Sequence, residues 1–246
     1  MKRAVVLGMA VGWYLGMGLS PVFADSNASN CHGLPTTHQL QAFLVAAPSA
    51  GGDAGGLFHG TRMWGALVNR EGEVCAFATS TADPTQVWPG SQAIAKAKAY
   101  TANAFSLDAL ALSTARLYTF TQPGHSLWSL GQSNLFHPDF LASPDGQGGG
   151  KHQLVGGLIF FGGGVPLYHA GTLIGGLGIS GDTSCTDHEI AKRVRTLAGL
   201  NPLGGAPADD ITYSSVDGAS VFTHPLCPNT FRDGVFIGNE ASASGY

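Results

Sequence analysis

Charged residues are scarce in this chain. They make up 11% of its 246 residues, against roughly 25% in an average soluble protein, and the formal net charge is −4. Such a chain has no basic field to attract a phosphate backbone, so we expect no nucleic-acid partner. Hydrophobic residues reach 44%, which is enough for a packed core and excludes disorder throughout.

Several motifs that carry chemistry are absent or incomplete. No C-x-x-C or C-x-x-C-H occurs, which excludes a thioredoxin-like pair and a covalently attached c-type haem. The run GLGISG at 176–181 has the dinucleotide-binding spacing, but the next predicted helix begins about five residues later, too late to hold a pyrophosphate. His188 and Glu189 begin a zincin motif, yet Lys192 stands at its second histidine, and an ammonium repels a metal ion. The spacing G-x-S-x-G of a serine hydrolase is missing there as well.

The amino-terminal residues have the pattern of a secretory signal peptide. Lys2 and Arg3 precede an apolar run over 4–19, and Val22 and Ala24 are small residues at the two positions that a signal peptidase reads. An uncleaved membrane anchor is the alternative, but the run is shorter than the roughly 20 residues that span a bilayer. We predict that residues 1–24 are a signal peptide and that the mature protein is periplasmic or secreted, with no integral membrane segment.

The predicted export determines how the four cysteines are interpreted. Cys31, Cys75, Cys185 and Cys227 would enter an oxidising compartment as an even number, which predicts two disulfides. Four cysteines allow three pairings. We favour Cys31–Cys75 and Cys185–Cys227, since each bond ties a weakly structured terminal segment to a neighbouring element.

Hydrophobic periodicity and local signals predict the helices and strands. Capping boxes at 36–39 and 186–189 begin two helices, and Gly199 ends the last one. Turns at 70–72 and 170–171 each join two strands. Helices are predicted over about 36–47, 91–105, 107–120 and 186–198. Strands are predicted over 63–69 and 73–80, followed by two or three strands among 157–161, 165–169 and 172–180. The proline- and glycine-containing segment 121–153 is predicted to be a long loop. This order favours one α/β domain over 25–200 with a mostly antiparallel sheet, and an irregular tail over 201–246 packed on the same domain.

Three side chains are candidates for a ligand site. His38 lies in the first predicted helix, two turns from Val45, so it can face a partly apolar pocket. Lys98 shares a helix face with Phe105, which suggests an anion at the rim of a pocket, although a lysine that snorkels to solvent is the commoner case. His188 falls in the first turn of the last helix, where the helix dipole disfavours imidazolium and leaves a nitrogen lone pair available. The alternative for each histidine is a solvated or hydrogen-bonded structural residue.

A series of short motifs occurs in a specific order. They are WPGS at 88–91, which leads into AKAKAYTANAF at 95–105, then GGG at 162–164 and LGISGDTSCTDHEIA at 177–191. Together they resemble the exported branch of the GlcG/HbpS-like haem-binding family, and the resemblance covers about residues 34–200.

This resemblance implies a profilin-like or PAS-like α/β fold, with an antiparallel sheet of about five strands flanked by helices and often assembled into homo-oligomers. It also implies non-covalent binding of haem, in some members for haem sensing, and a histidine of the first helix serves some relatives, which is the position of His38. We therefore expect an extracytoplasmic haem (tetrapyrrole) binder with His38, Lys98 and His188 at the cofactor. The alternative is a small enzyme or binding module that acts on an organic or aromatic metabolite, or on haem itself.

Overall fold

A four-stranded antiparallel sheet forms the centre of the protein. The computed structural model describes residues 31–136 and 156–243, and the order of strands in this sheet is β2-β1-β4-β3. The strands are β1 (Trp64–Asn69), β2 (Val74–Thr79), β3 (Gly164–His169) and β4 (Thr172–Ser180). The tight turn predicted between the last two strands lies at 170–171, where both residues have positive φ.

Helices cover both faces of this sheet. They are α1 (Thr37–Ala46), α2 (Ser91–Phe105) and α3 (Ser184–Leu197), followed by the short α4 (Ser214–Asp217) and a hairpin of β5 (Thr230–Arg232) and β6 (Val235–Gly238). The predicted capping box at the start of α1 is present, with Thr36 and Gln39 exchanging two hydrogen bonds. Its reciprocal bonds satisfy amide donors that a helix start leaves unpaired.

The alternation of β1 divides the core into two layers. Leu67 packs with residues of α1 and α3, whereas Ala66 and Val68 face α2. Because both faces are covered, every residue of β1 is buried. This explains why residues 64–68 are a continuous apolar run and do not alternate with polar residues.

Glycines in β4 let the alanine-rich helix α2 approach the sheet closely. A Cβ atom at Gly178 would overlap the carbonyl oxygen of Ala95, and one at Gly176 would overlap that of Ala99. Small residues on both sides therefore set the helix–sheet distance. This contact fixes where the side chains of α2, including that of Lys98, enter the interior.

The α/β class and the antiparallel sheet are confirmed, but the main sheet has four strands and not about five. The predicted strand 157–161 is wrong, because Gly157 has a φ of +70° and Ile159 N–H donates to the Thr101 hydroxyl, at 3.0 Å, and not to a neighbouring strand. The sheet ends at β3 instead.

The predicted helix 107–120 is also wrong. Leu107 and Leu110 form a tight bridge with each other and are about half exposed, so the apolar positions that suggested a helix do not share a buried face. The Ser106 hydroxyl holds Leu112 through a donated and an accepted hydrogen bond, which replaces helical bonding. Only short 3-10 turns follow, at Thr114–Leu117 and Thr119–Thr121.

Helix α3 starts slightly earlier than predicted. Thr183, and not Thr186, caps it by accepting a hydrogen bond from the Thr186 amide. Its carboxyl-terminal stop is as predicted, since Gly199 has a φ of +70°.

Both disulfides are present, Cys31–Cys75 and Cys185–Cys227. The second one fastens the carboxyl-terminal segment to the start of α3, and the β5–β6 hairpin packs along the same helix. Within the described ranges no helix has the length and apolarity that a membrane crossing requires. The predicted signal peptide lies outside the described residues.

Candidate functional site

Two regions contain the candidate groups. The first, here called the interior cluster, consists of charged and imidazole side chains around the amino-terminal half of α3. They are the buried Lys98, Asp182, Asp187, His188, Lys192 and His224 and the half-buried Asp210. The second, here called the α1 cavity, is an open space of about 600 Å³ between α1 and the loop 49–61.

Lys98 is fully buried and does not lie at the rim of a pocket as expected. Its Nζ donates to Asp187 Oδ2 at 2.7 Å and to the carbonyl oxygen of Ile179 at 3.0 Å, and it lies 4.9 Å from the Phe161 ring centroid. Burial lowers the pKa of Lys98, and burial also raises the pKa of Asp187 to about 6 in spite of the lysine. The close contact of α2 with β4 is what directs this side chain inward, away from solvent.

Asp182 links α3 to the loop that carries His59. Its carboxylate accepts hydrogen bonds from the amides of Leu57 and Phe58, at 2.7 and 2.8 Å, and from that of Gly60 at 3.3 Å. Three donors on one carboxylate hold residues 57–60 in a defined turn. The interior cluster thereby positions part of the α1 cavity.

His188 is fully enclosed. Its Nε2 lies 3.3 Å from Asp210 Oδ1 without hydrogen-bonding geometry, and its Nδ1 has no hydrogen-bond partner among the described residues. Burial opposes ionisation of Asp210, but His188 and Lys192 outweigh it and hold the pKa of that carboxyl well below its usual value. The structure thus brings Lys98 and His188 to the same end of α3, whereas His38 is exposed on α1.

The α1 cavity has the size of a ligand site, because such pockets commonly hold roughly 300–1,000 Å³. Aliphatic side chains form much of its wall, and hydroxyl groups and one imidazole supply the polar atoms. The lining residues are Leu44, Val45, Pro48, Ser49, Gly52, Asp53, Ala54, His59, Thr61 and Ser80. His38 lies on the same face of α1 as Val45, about 10 Å along the helix axis.

An oriented histidine stands at this cavity. His59 Nδ1 lies 2.8 Å from Asp53 Oδ1, which also accepts the Gly55 amide at 2.9 Å. Their hydrogen bond lowers the pKa of Asp53 and raises the pKa of His59. A carboxylate only accepts, so Nδ1 carries the proton, and in the neutral ring Nε2 keeps a lone pair. The His59 side chain is 60% exposed, which leaves that lone pair accessible.

Sequence reasoning missed His59 and Asp53. They lie in a glycine-rich segment without helical or strand periodicity, and their spacing of six residues matches no regular element. His59 also has a φ of +52°, a backbone conformation that sequence patterns do not indicate for histidine.

Sequence reasoning also missed His224, which belongs to the carboxyl-terminal tail. Burial lowers the pKa of His224 to about 3.

These residues fit a haem better at the α1 cavity than in the interior cluster. The cavity combines an aliphatic wall with an accessible imidazole nitrogen whose partner nitrogen is held by a carboxylate, an arrangement typical of metal-ligating histidines. In the interior cluster, by contrast, the side chain of His188 is 0% exposed.

One family model matches this chain over more than half of its length. A family model described as haem degrading protein HbpS-like matches residues 56–195. No curated protein sequence matches the chain.

Among solved structures, the chain matches a PduOC:heme complex, with 25% identity over 67% of this chain and 92% of that one and a TM-score of 0.47. The Klebsiella pneumoniae protein ORFY has 20% identity over 66% and 88%, with a TM-score of 0.44. HbpS has 20% identity over 66% and 89%, with a TM-score of 0.43. Because the family match spans more than half of the 246 residues, this chain belongs to the HbpS-like family of haem degrading proteins.

Proposed function

We propose that this protein binds haem non-covalently in the α1 cavity, outside the cytoplasm. The observation that carries the proposal is the family match over residues 56–195, since the family is described by its action on haem. The cavity supports it with a volume of about 600 Å³ and an aliphatic wall against which a flat tetrapyrrole can pack.

In this proposal His59 is the iron ligand. Its Nε2 is the accessible lone pair at the cavity, and Asp53 orients the ring and increases its basicity through the 2.8 Å bond to Nδ1. Bound haem would supply a redox-active iron. The chain itself supplies the ligand atom, the aliphatic wall and the hydroxyl groups of Thr61 and Ser80 at the cavity edge.

The other candidates keep different roles. His38 is the alternative iron ligand, because it lies on the α1 face that borders the cavity and is exposed. The predicted roles of Lys98 and His188 at the cofactor require the interior to open, since both side chains are 0% exposed.

A location outside the cytoplasm is supported by the predicted signal peptide and by the two disulfides, which persist in oxidising compartments. A role in haem sensing or handling would follow from reversible, non-covalent binding at an open cavity.

Titration of the purified protein with haemin tests this function. We expect a stoichiometric Soret shift in the parent protein, abolished or moved in His59→Ala. His169→Ala is the matched control, because His169 is an exposed histidine at the last position of β3 and does not line the α1 cavity. Absence of a Soret shift in the parent contradicts haem binding. A parental spectrum in His59→Ala together with its loss in His38→Ala or His188→Ala moves the ligand to that residue.

A second candidate function is favoured by the family description itself, which names haem degradation. In that case haem is the substrate. Incubation of the haem-loaded protein with ascorbate in air distinguishes the two, with free haemin as the control. Soret loss faster than that of free haemin supports an enzyme, and a stable Soret band supports a binder.

A further inference from the structure

The carboxylate that orients His59 comes from a segment without regular secondary structure. Residues 50–56 follow the 3-10 turn Ala47–Ser49 and contain four glycines. Glycine gives the backbone more conformational freedom than any other residue, so such a segment does not fix its own path. The position of Asp53 therefore depends on groups outside the segment that hold its backbone.

Helix α3 supplies such a group, because Arg193 donates hydrogen bonds to this part of the backbone. The acceptors, at 2.9 to 3.3 Å from its terminal nitrogens, are the carbonyl oxygens of Ala47, Pro48, Gly51, Gly52 and Asp53. We propose that Arg193 is a positioning residue of the haem site, which holds the backbone of Asp53 where its carboxylate can orient His59. The inference rests on the proposed function.

A buried carboxylate holds the guanidinium itself. Arg193 is 7% exposed, and its Nε donates to Glu189 Oε1 at 3.0 Å. The same oxygen accepts the Asp233 amide at 3.2 Å, so the carboxyl-terminal hairpin holds Glu189 as well. Because the guanidinium is planar, a fixed Nε also fixes the plane in which the two terminal nitrogens donate. Arg193 thus offers the segment a rigid set of donors.

Part of this arrangement is ordinary helix capping. The carbonyl groups of Ala47 and Pro48 belong to the turn that ends α1, where the last carbonyls lack helical partners. A cationic side chain that binds them there is a common way to end a helix. The bonds to Gly51, Gly52 and Asp53 cap no helix. These three bonds carry the inference, because they fix the segment that bears the carboxylate.

The region around α3 holds both members of the His59–Asp53 pair. Asp182, two residues before the helix, holds the turn 57–60, and Arg193 binds the other side of the pair from within the helix. Between these points the Gly56 amide donates to a carbonyl oxygen of the carboxyl-terminal segment at 2.8 Å. The 2.8 Å contact between Asp53 Oδ1 and His59 Nδ1 is therefore set by groups that lie outside the pair.

Arg193→Lys removes the fork of donors and keeps the charge beside Glu189. A lysine has three donors on one atom, so it cannot bind the separate carbonyl groups of residues 51–53 together. We expect haemin affinity about tenfold below that of the parent, the lower end of the loss for an outer-shell partner. The Soret band of the bound form should stay at its parental position, because His59 remains the ligand. Spectrophotometric titration measures both quantities.

Arg195→Lys is the matched control on the same helix. Arg195 is also buried, and its acceptors are Asp209 and the carbonyl oxygens of Pro166 and Ala206, all outside residues 47–53. Both substitutions remove buried hydrogen bonds, so both should lower the free energy of unfolding in urea. Only Arg193→Lys should weaken haemin binding. Equal haemin affinities in the two folded variants would overturn the proposal.

A double-mutant cycle separates positioning from a general structural role. If Arg193 acts through Asp53, then Arg193→Lys has little left to disturb in an Asp53→Ala background. We expect it to weaken haemin binding there by less than about twofold, which is the usual scatter for independent sites. A loss of about tenfold in both backgrounds would show that Arg193 does not act through the carboxylate.

Gly234→Ala disturbs the same contact from the side of the segment and leaves Arg193 in place. A methyl group at Gly234 would overlap the carbonyl oxygen of Gly51, which accepts from Arg193. Gly218→Ala is the control, since its φ of +80° matches the +78° of Gly234 and its methyl group would meet no described atom within 4 Å. We expect weaker haemin binding in Gly234→Ala alone. This pair decides the question if Arg193→Lys does not fold, and equal affinities in it overturn the proposal.

The parent protein separates this inference from the function on which it rests. If the parent shows no Soret shift with haemin, the proposed function is wrong and the inference fails with it. If the parent binds haemin and folded Arg193→Lys binds it with the same affinity, the inference alone is wrong.

Discussion

Two aspartate–histidine pairs in this protein have opposite properties. In the interior cluster, His188 and Asp210 lie 3.3 Å apart with side chains 0% and 14% exposed, and the carboxylate also binds Lys192. At the α1 cavity, His59 and Asp53 lie 2.8 Å apart with side chains 60% and 40% exposed. The same two residue types thus serve the packing of a helix in one place and present an accessible nitrogen in the other.

The difference follows from the cost of burying charge. Inside the protein each charged group needs a partner of opposite sign, and removal of one partner leaves the other uncompensated. At the surface water screens the charges, so a pair contributes little to stability and its geometry can serve a ligand. Interior substitutions should therefore change stability, and substitutions at the α1 cavity should change haem affinity.

The largest expected effect is on stability and comes from Asp209→Ala. Arg195 and Asp209 are both 0% exposed and joined by two hydrogen bonds of 2.7 and 2.9 Å. The variant leaves a buried guanidinium without its partner, so the free energy of unfolding should fall by about 3–5 kcal/mol in urea denaturation. Arg232→Gln, which breaks the partly exposed pair with Asp217, should cost about 1 kcal/mol or less. Equal losses in the two variants would contradict the distinction between buried and exposed charges.

Gly178→Ala should act on the contact that carries Lys98 into the interior. The new methyl group overlaps the carbonyl oxygen of Ala95, so α2 must move away from β4. We expect a loss of about 1–3 kcal/mol in thermal or urea unfolding. Gly90→Ala is the control, with φ of −62° and no atom within 4 Å of the new carbon, and it should stay within about 0.5 kcal/mol of the parent. If Gly178→Ala left the stability unchanged, the helix–sheet distance would not be set by glycine.

Asp53→Asn should reduce haemin affinity by about 10–100-fold with little change in stability, because it removes the carboxylate that orients His59. Spectrophotometric titration measures the affinity. Asp83→Asn is the control, since Asp83 is an exposed carboxylate that only caps the turn Pro84–Gln86. Unchanged affinity in Asp53→Asn would show that the pair does not serve the ligand.

The last prediction concerns how stability changes in acid. The folded-state pKa of Asp210 lies below its ordinary value of 3.8, so between these two values the unfolded chain binds more protons. The stabilisation is complete above about pH 4 and is lost as the pH falls through the folded-state pKa. Unfolding measured from pH 6 to pH 2 should show a difference between the parent and Asp210→Asn that shrinks below about pH 4. A constant difference over this range would contradict a lowered pKa of Asp210 in the folded state.

Elements with strong local signals were predicted well. The capping box of α1, the β1–β2 hairpin, α2 and the two strands β3 and β4 all lie where periodicity and turn residues indicated. The segments 107–120 and 157–161 were not. In the first, the Ser106 hydroxyl bonds the backbone of Leu112, and this side-chain bond competes with a helix. In the second, the Ile159 amide donates to Thr101, a partner 58 residues away that local propensity does not contain.

The candidate site was predicted less well for a similar reason. Lys98 and His188 were chosen from helix positions, but the sequence could not show that the carboxyl-terminal segment encloses α3 and that Asp187 takes the lysine. His59 and Asp53 were missed because their contact depends on a turn held by Asp182, more than 100 residues away in the chain.

The sequence by itself determined the family, the α/β class and the main helices and strands, since ordered motifs, caps and periodicity are local properties of the chain. It also indicated both disulfide pairs, through the position of each cysteine relative to the nearest element. Only the tertiary structure decided which charged groups are buried and which histidine is accessible. The physical reason is that burial depends on what packs against a residue, and the close α2–β4 contact and the carboxyl-terminal cover of α3 join residues that are far apart in sequence.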